Sequence, residues 1–99
     1  MEAVAARVPV TVVTVAGHLD ADLLPHFLKH YRGLGVSGFV FALHGAFDRN
    51  VVETLASEPD ICIFCEFRGL FSEATRIEKI TWMLQTLIGQ WVIACDVDE

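Results

Sequence analysis

The chain has 99 residues, of which 54% are hydrophobic, and carries a formal net charge of −6. That length suits one small domain, and the acidic balance excludes a nucleic-acid-binding surface, which needs concentrated Lys and Arg. The apolar excess sits in runs at 8–16, 36–43, 61–67 and 91–95, each too short to cross a bilayer as a helix and of the kind that forms strands buried on both faces.

Residues 1–7 lack the pattern of a secretion signal. The cysteines are Cys62, Cys65 and Cys95, an odd number that suits reduced thiols, so a cytoplasmic location is expected. The β-branched run 8–16 predicts the first strand. Gly17-His18-Leu19-Asp20 breaks it, Asp20 or Asp22 is expected to cap the next helix, and Pro25 is tolerated in a first turn. Leu23, Leu24, Phe27, Leu28, Tyr31 and Leu34 then fall on one helical arc, the face to bury, and Gly35 supplies a left-handed stop.

The run 36–43 predicts the second strand, followed by the loop His44-Gly45-Ala46-Phe47. Asp48 is a good N-cap for a short helix over 49–57 that buries Val51, Val52 and Leu55, and Pro59 ends it. The third strand is 61–67. Gly69 turns the chain, Ser72 caps the longest helix, and Ile77, Ile80, Leu84, Leu87 and Ile88 are expected on its inner side. Gly89 stops that helix before the fourth strand, 91–95. No repeat, linker or low-complexity segment interrupts this single domain over 1–99.

Strands alternating with helices imply right-handed crossovers and a parallel sheet covered on both faces. The expected fold is α/β, a Rossmann-like three-layer αβα arrangement with a four-stranded parallel sheet in the order 3-2-1-4. Ligands in such sheets bind at the carboxyl ends of the strands where the order reverses. The loop Gly17–Asp20 and the segment from Asp96 onward therefore form the expected site edge, with His18 and His44 in nearby loops as ligand candidates.

At that edge the apolar strand 91–95 empties into Asp96-Val97-Asp98-Glu99. Crowded carboxylates raise one another's pKa unless a cation offsets them. Mg²⁺ and Mn²⁺ prefer oxygen ligands and commonly bridge one or two carboxylates to a substrate's phosphates. Asp96 and Asp98 are thus the candidate ligands of a divalent metal. The alternative is a set of solvated acids at a chain end, because D-x-D alone is a weak pattern.

Two segments carry a resemblance. Leu24-Pro25-His26-Phe27-Leu28-Lys29-His30-Tyr31-Arg32-Gly33-Leu34-Gly35-Val36 resembles the first helix and second strand of family-2-like glycosyltransferases with the GT-A fold. Gln90-Trp91-Val92-Ile93-Ala94-Cys95-Asp96-Val97-Asp98-Glu99 resembles their D-x-D-E segment behind a tryptophan-led strand. The resemblance implies a GT-A half-domain that binds a nucleotide-diphosphate sugar with Mn²⁺ or Mg²⁺. It places the metal on Asp98 and Asp96, with Asp96 also near the ribose, and the donor's base beside Gly17, His18 and Asp20. Glu99 matches the acidic residue that often follows. The chain departs from the family after its first strand, where Gly17-His18-Leu19-Asp20 replaces a basic-Asn-Glu type sequence, and after its second, where Leu43-His44-Gly45-Ala46 replaces a polar turn. The family's acceptor half and catalytic base lie downstream of the D-x-D, so the chain is expected to be truncated and inactive alone.

Other constellations have plainer readings. Cys62-Ile63-Phe64-Cys65 lacks the second ligand pair of a zinc site, and cysteines three apart in a strand are expected to face opposite ways as small core residues. His26 and His30 lack the intervening Glu of a metalloprotease helix and are expected to pack beside the sheet. Arg76 and Lys79 are expected on an exposed helix face paired with Glu73 and Glu78, although one of them could approach a phosphate. Trp82 and Trp91 are expected to pack. Two other functions compete. One is a non-catalytic Rossmann-like module that self-associates through exposed apolar surface or pairs with a partner subunit. The other is an aspartate-based phosphoryl-transfer enzyme, disfavoured because its D-x-D would follow the first strand.

Overall fold

The computed structural model describes residues 9–97, so Val8, Asp98 and Glu99 lie outside the described residues. Among those described, the chain runs β1 (Val10–Gly17), a 3₁₀ helix (His18–Leu23), α1 (Leu24–Gly33), β2 (Gly38–His44), α2 (Arg49–Ser57), β3 (Ile61–Phe67), α3 (Glu73–Gln85) and β4 (Trp91–Ala94). All strand pairings are parallel, and the sheet order is β3-β2-β1-β4. Right-handed crossovers carry the chain from β1 to β2 to β3 with α1 and α2 on one face. The return to β4 then puts α3 on the other. The fold is α/β and Rossmann-like, as the alternation implied.

Each face has its own core. Val12, Ala16, Phe39, Phe41 and Leu43 pack beneath Phe27 and Leu28 of α1 and Val52 and Leu55 of α2. Val13, Val40 and Ala42 pack beneath Ile80 and Met83 of α3. Strand β1 serves both, so Val12, Val13, Thr14 and Ala16 have no exposure at all. Among the described residues, no helix is long and apolar enough to cross a membrane.

Local signals fix several ends. The Asp48 carboxylate accepts from the Asn50 N–H, and the Ser72 hydroxyl from the Thr75 N–H, at the starts of α2 and α3. Gly35, Gly69 and Gly89 take positive φ angles where the chain leaves helices or turns, a conformation that favours glycine. The start of α1 differs from the sequence reading. Neither Asp20 nor Asp22 caps it. A 3₁₀ turn runs directly into the helix, and the Leu24 N–H donates to the Ala21 carbonyl, so the preceding turn satisfies donors that a cap would have taken. Pro25 does sit in the first turn. Leu23 and Leu34, outside the helix proper, are exposed.

The inner arc of α3 is also rotated. Ile80 and Met83 are buried and Leu87 packs against them, whereas Ile77, Leu84 and Ile88 are exposed. The helix packs mainly on β1 and β2, which shifts its buried arc from Ile77 and Leu84 towards Met83 while Ile80 and Leu87 stay inside it. On its other flank Lys79 lays its ammonium over the rings of Phe67 and Trp82, 4.8 and 4.4 Å from their centroids, while also pairing with Glu78.

Three further expectations change. The register of β3 against β2 shifts between Phe41 and Ala42, so Cys62 pairs with Val40 and Cys65 with Ala42. That irregularity absorbs one residue and turns both thiols to the same face. Cys62 is exposed and Cys65 half-buried, where burial pushes the Cys65 thiol's pKa up. His26 and His30 are exposed instead of packed on the sheet. Trp82 and Trp91 are exposed too, Trp91 by 68%.

At the amino-terminal edge of the sheet, Arg32 at the end of α1 binds Asp60 through Nε (2.8 Å) and Nη2 (2.6 Å), and Glu58 through Nη2 (3.0 Å). This fork ties α1 to the α2–β3 loop. The hydrogen bond from Arg32 holds the Asp60 carboxyl below the usual carboxylate range. A depressed carboxyl pKa contributes stability that is fully present above the ordinary value and is lost as pH falls through the folded one. We therefore expect Arg32→Ala to cost about 1 kcal/mol at neutral pH, a value discounted for partial exposure. In urea titrations, the gap between wild type and variant should close below pH 4, the usual carboxylate range. A second outcome concerns Thr14, whose fully buried hydroxyl has no hydrogen-bond partner among the described residues. Thr14→Val keeps the shape, removes that polar group, and should raise stability by roughly 1 kcal/mol in the same assay.

Candidate functional site

The reversal of crossover direction separates the loops that leave β1 and β4, and a cleft of about 650 Å³ opens between them. The end of β1 contributes Gly17, and the 3₁₀ turn after it contributes His18, Leu19 and Asp20. Strand β2 contributes His44 and the end of β4 contributes Asp96 and Val97. Phe71, Glu73 and Arg76 close the remaining side from the α3 segment. Gly17, His18, Asp20, His44 and Asp96, chosen from sequence as one edge, thus line one cavity. Asp98, chosen with them, lies outside the described residues.

Three contacts shape this cleft. His44, the last residue of β2 rather than a loop residue, bonds through Nε2 to the Gly69 carbonyl at 2.8 Å. That bond needs the proton on Nε2. The same ring packs against Phe67 and Phe71 at centroid distances of 4.9 and 5.1 Å, fixing the wall that precedes α3. His18 lies over Gly45, which has φ +97 and no room for a Cβ, since one would overlap the imidazole. The loops after β1 and β2 therefore interlock through a missing side chain.

Arg76 makes the third contact. Its Nε donates to Asp96 Oδ1 at 3.0 Å, and its Nη1 donates to Glu73 at 3.1 Å. Its side chain is only 25% exposed. Partial burial disfavours the guanidinium charge, but the hydrogen bond to Asp96 and the attraction of Asp96 and Glu73 outweigh it, so the Arg76 pKa rises. The expected pairing of Arg76 with Glu73 is present. Its bond to Asp96 was not legible, because 20 residues separate the two and no local pattern links them. Phe71 and Glu73 were likewise missed as cleft residues.

The cleft accordingly offers a fixed cation, two carboxylates beside it, two imidazoles and an apolar floor of Val15 and Val97. Among the described residues, no group of three or more His, Cys, Asp or Glu side chains could hold a metal ion by itself. Asp96 is the described carboxylate at the β4 end of the cleft, and its Oδ1 already accepts from Arg76. A second groove of about 650 Å³ lies between α1 and α2, lined largely by Leu24, Leu28, Val51 and Leu55. It runs along the helix flank, and its polar lining of Lys29, Arg32, Asn50, Thr54 and Glu58 draws on no strand end. Comparison of the chain with protein-family models, with curated proteins and with solved structures gives no match.

The His18–Gly45 interlock is testable. Gly45→Ala combines a positive φ with a clash and should cost about 1–3 kcal/mol. Gly33→Ala, at the last residue of α1 with open space around its Cβ and an ordinary φ, should stabilise by roughly 0.4–1 kcal/mol. Chemical denaturation of the two variants side by side checks both signs.

Proposed function

We propose that the chain binds the donor of a sugar-nucleotide-dependent glycosyltransferase, a nucleotide diphosphate sugar, in the cleft between the β1 and β4 ends. The supporting observation is the meeting of the Gly17–Asp20 turn with Asp96 at the strand-order reversal, beside a fixed guanidinium. A diphosphate needs positive charge, and in a chain of net charge −6 Arg76 is the cation that lines this cleft. In this reading Arg76 faces the phosphates and Asp96 orients it. His18 and Asp20 border the nucleoside, and His44 sets the wall behind it.

Mn²⁺ or Mg²⁺ would be held by Asp96 and Asp98 with the donor's phosphate oxygens, and would supply charge neutralisation for the departing diphosphate. The residues of this chain bind and orient the donor and exclude water from one side of it.

Thermal unfolding with Mn²⁺ and UDP or GDP tests the proposal. Ligand at about 100 times its Kd should stabilise by about 2.7 kcal/mol, a Tm rise on the order of 10 °C for a domain this size. The rise should require metal and nucleotide together, vanish in Asp98→Ala and shrink in Arg76→Ala. A Tm indifferent to the metal, or an Asp98→Ala response equal to wild type, would rule the proposal out.

A further inference from the structure

Of the eleven large hydrophobic side chains exposed among the described residues, five flank the outer edge of β4. Trp91 and Ile93 are 68% and 41% exposed on the sheet face that α1 and α2 cover elsewhere. On the opposite face, Ile77, Leu84 and Ile88 form the flank of α3 and its trailing turn that is turned away from Lys79 and Phe67, and so towards β4. Summed over the two sides of this edge, the five side chains expose on the order of 500 Å². Pairing edge to edge, with both sides closed in both copies, covers about 1,000 Å², the lower bound for a specific interface.

The strand between them is open. β4 pairs only with β1 among the described residues. The Cys95 N–H points inward to the Val13 carbonyl, so by alternation Val92 and Ala94 direct their N–H and C=O groups outward. Edge strands are usually blunted by charge, proline or a bulge. The sequence Trp91-Val92-Ile93-Ala94 has no charge and no proline, and its register with β1 is unbroken.

We infer that this edge pairs with a second copy of the chain, β4 against β4, antiparallel and centred on Val92. That register is self-complementary. Val92 meets Val92 of the other copy as a hydrogen-bonded pair, using the outward groups. Trp91 meets Ile93 of the other copy, twice, as non-hydrogen-bonded pairs, where side chains approach most closely. The two α3 flanks face each other across the opposite side of the joint. The product is one sheet in the order 3-2-1-4-4-1-2-3. Because the two β4 strands run in opposite directions, the two clefts open at opposite edges of that sheet and both remain accessible.

The test is light scattering of the 99-residue chain across a micromolar concentration series, with wild type expected at twice the 11.0 kDa chain mass. Ile93→Lys and Trp91→Glu each replace an exposed side chain, and each should weaken self-association about tenfold or more. The double variant restores opposite charges across both pairs and should associate more tightly than either single variant. In a Trp82→Phe background, Trp91 emission should shift to the blue with concentration. A chain that stays monomeric, or an Ile93→Lys chain that associates like wild type, overturns the pairing. A double variant weaker than both singles overturns the register.

Discussion

Burial of β1 on both faces is the constraint on which the other features depend. Its β-branched residues point alternately into two cores, so a helical layer must cover each side. Right-handed crossovers then allow α1 and α2 on one face only while the chain moves outward through β2 and β3. Covering the second face requires the chain to return past β1, and that return places α3 and β4. The gap between the β1 and β4 ends follows from this reversal, and so does the cleft that fills it.

Electrostatics sharpens what the topology opens. The chain has seven Lys and Arg against thirteen Asp and Glu, and the positions of the few cations matter. Arg32 joins α1 to the α2–β3 loop at one end of the sheet. Arg49 joins the start of α2 to Glu66 of β3 and holds that carboxyl below its usual range. Arg76 joins α3 to the end of β4. The first two close the structure on itself. The third sits on a wall of the cleft between the β1 and β4 ends.

The region around β4 contrasts with the cleft. Strand β4 is short, is covered by α3 only in part, and keeps apolar side chains on its open side. The lean of α3 towards β1 and β2 explains both the exposure of Ile77 and Leu84 and the room beside β4. One displacement of one helix thus accounts for a misread buried arc and for an unguarded edge.

Much of the fold was legible because its signals are local. Asp48 and Ser72 as caps, Gly35 and Gly89 as stops, and the four apolar runs each act within a few residues, and strict βα alternation leaves few topologies. The position of Gly17, His18, Asp20, His44 and Asp96 at one edge followed from strand order alone. Other features depend on residues distant in sequence. The phase of α3 was set by which strands lay beneath it, since Met83 on one side of the apolar arc and Ile77 and Leu84 on the other compete for the same buried face. The common face of Cys62 and Cys65 came from a register shift against β2. The bond between Arg76 and Asp96, and the fit of His18 over Gly45, arise only when loops from separate crossovers are brought together. The sequence by itself determined the elements, their order and the sheet edge at which Gly17, His18, Asp20, His44 and Asp96 lie, because periodicity and capping act over short range. Side-chain pairing within that edge was decided only by tertiary packing, because it depends on how helices settle against a twisted sheet.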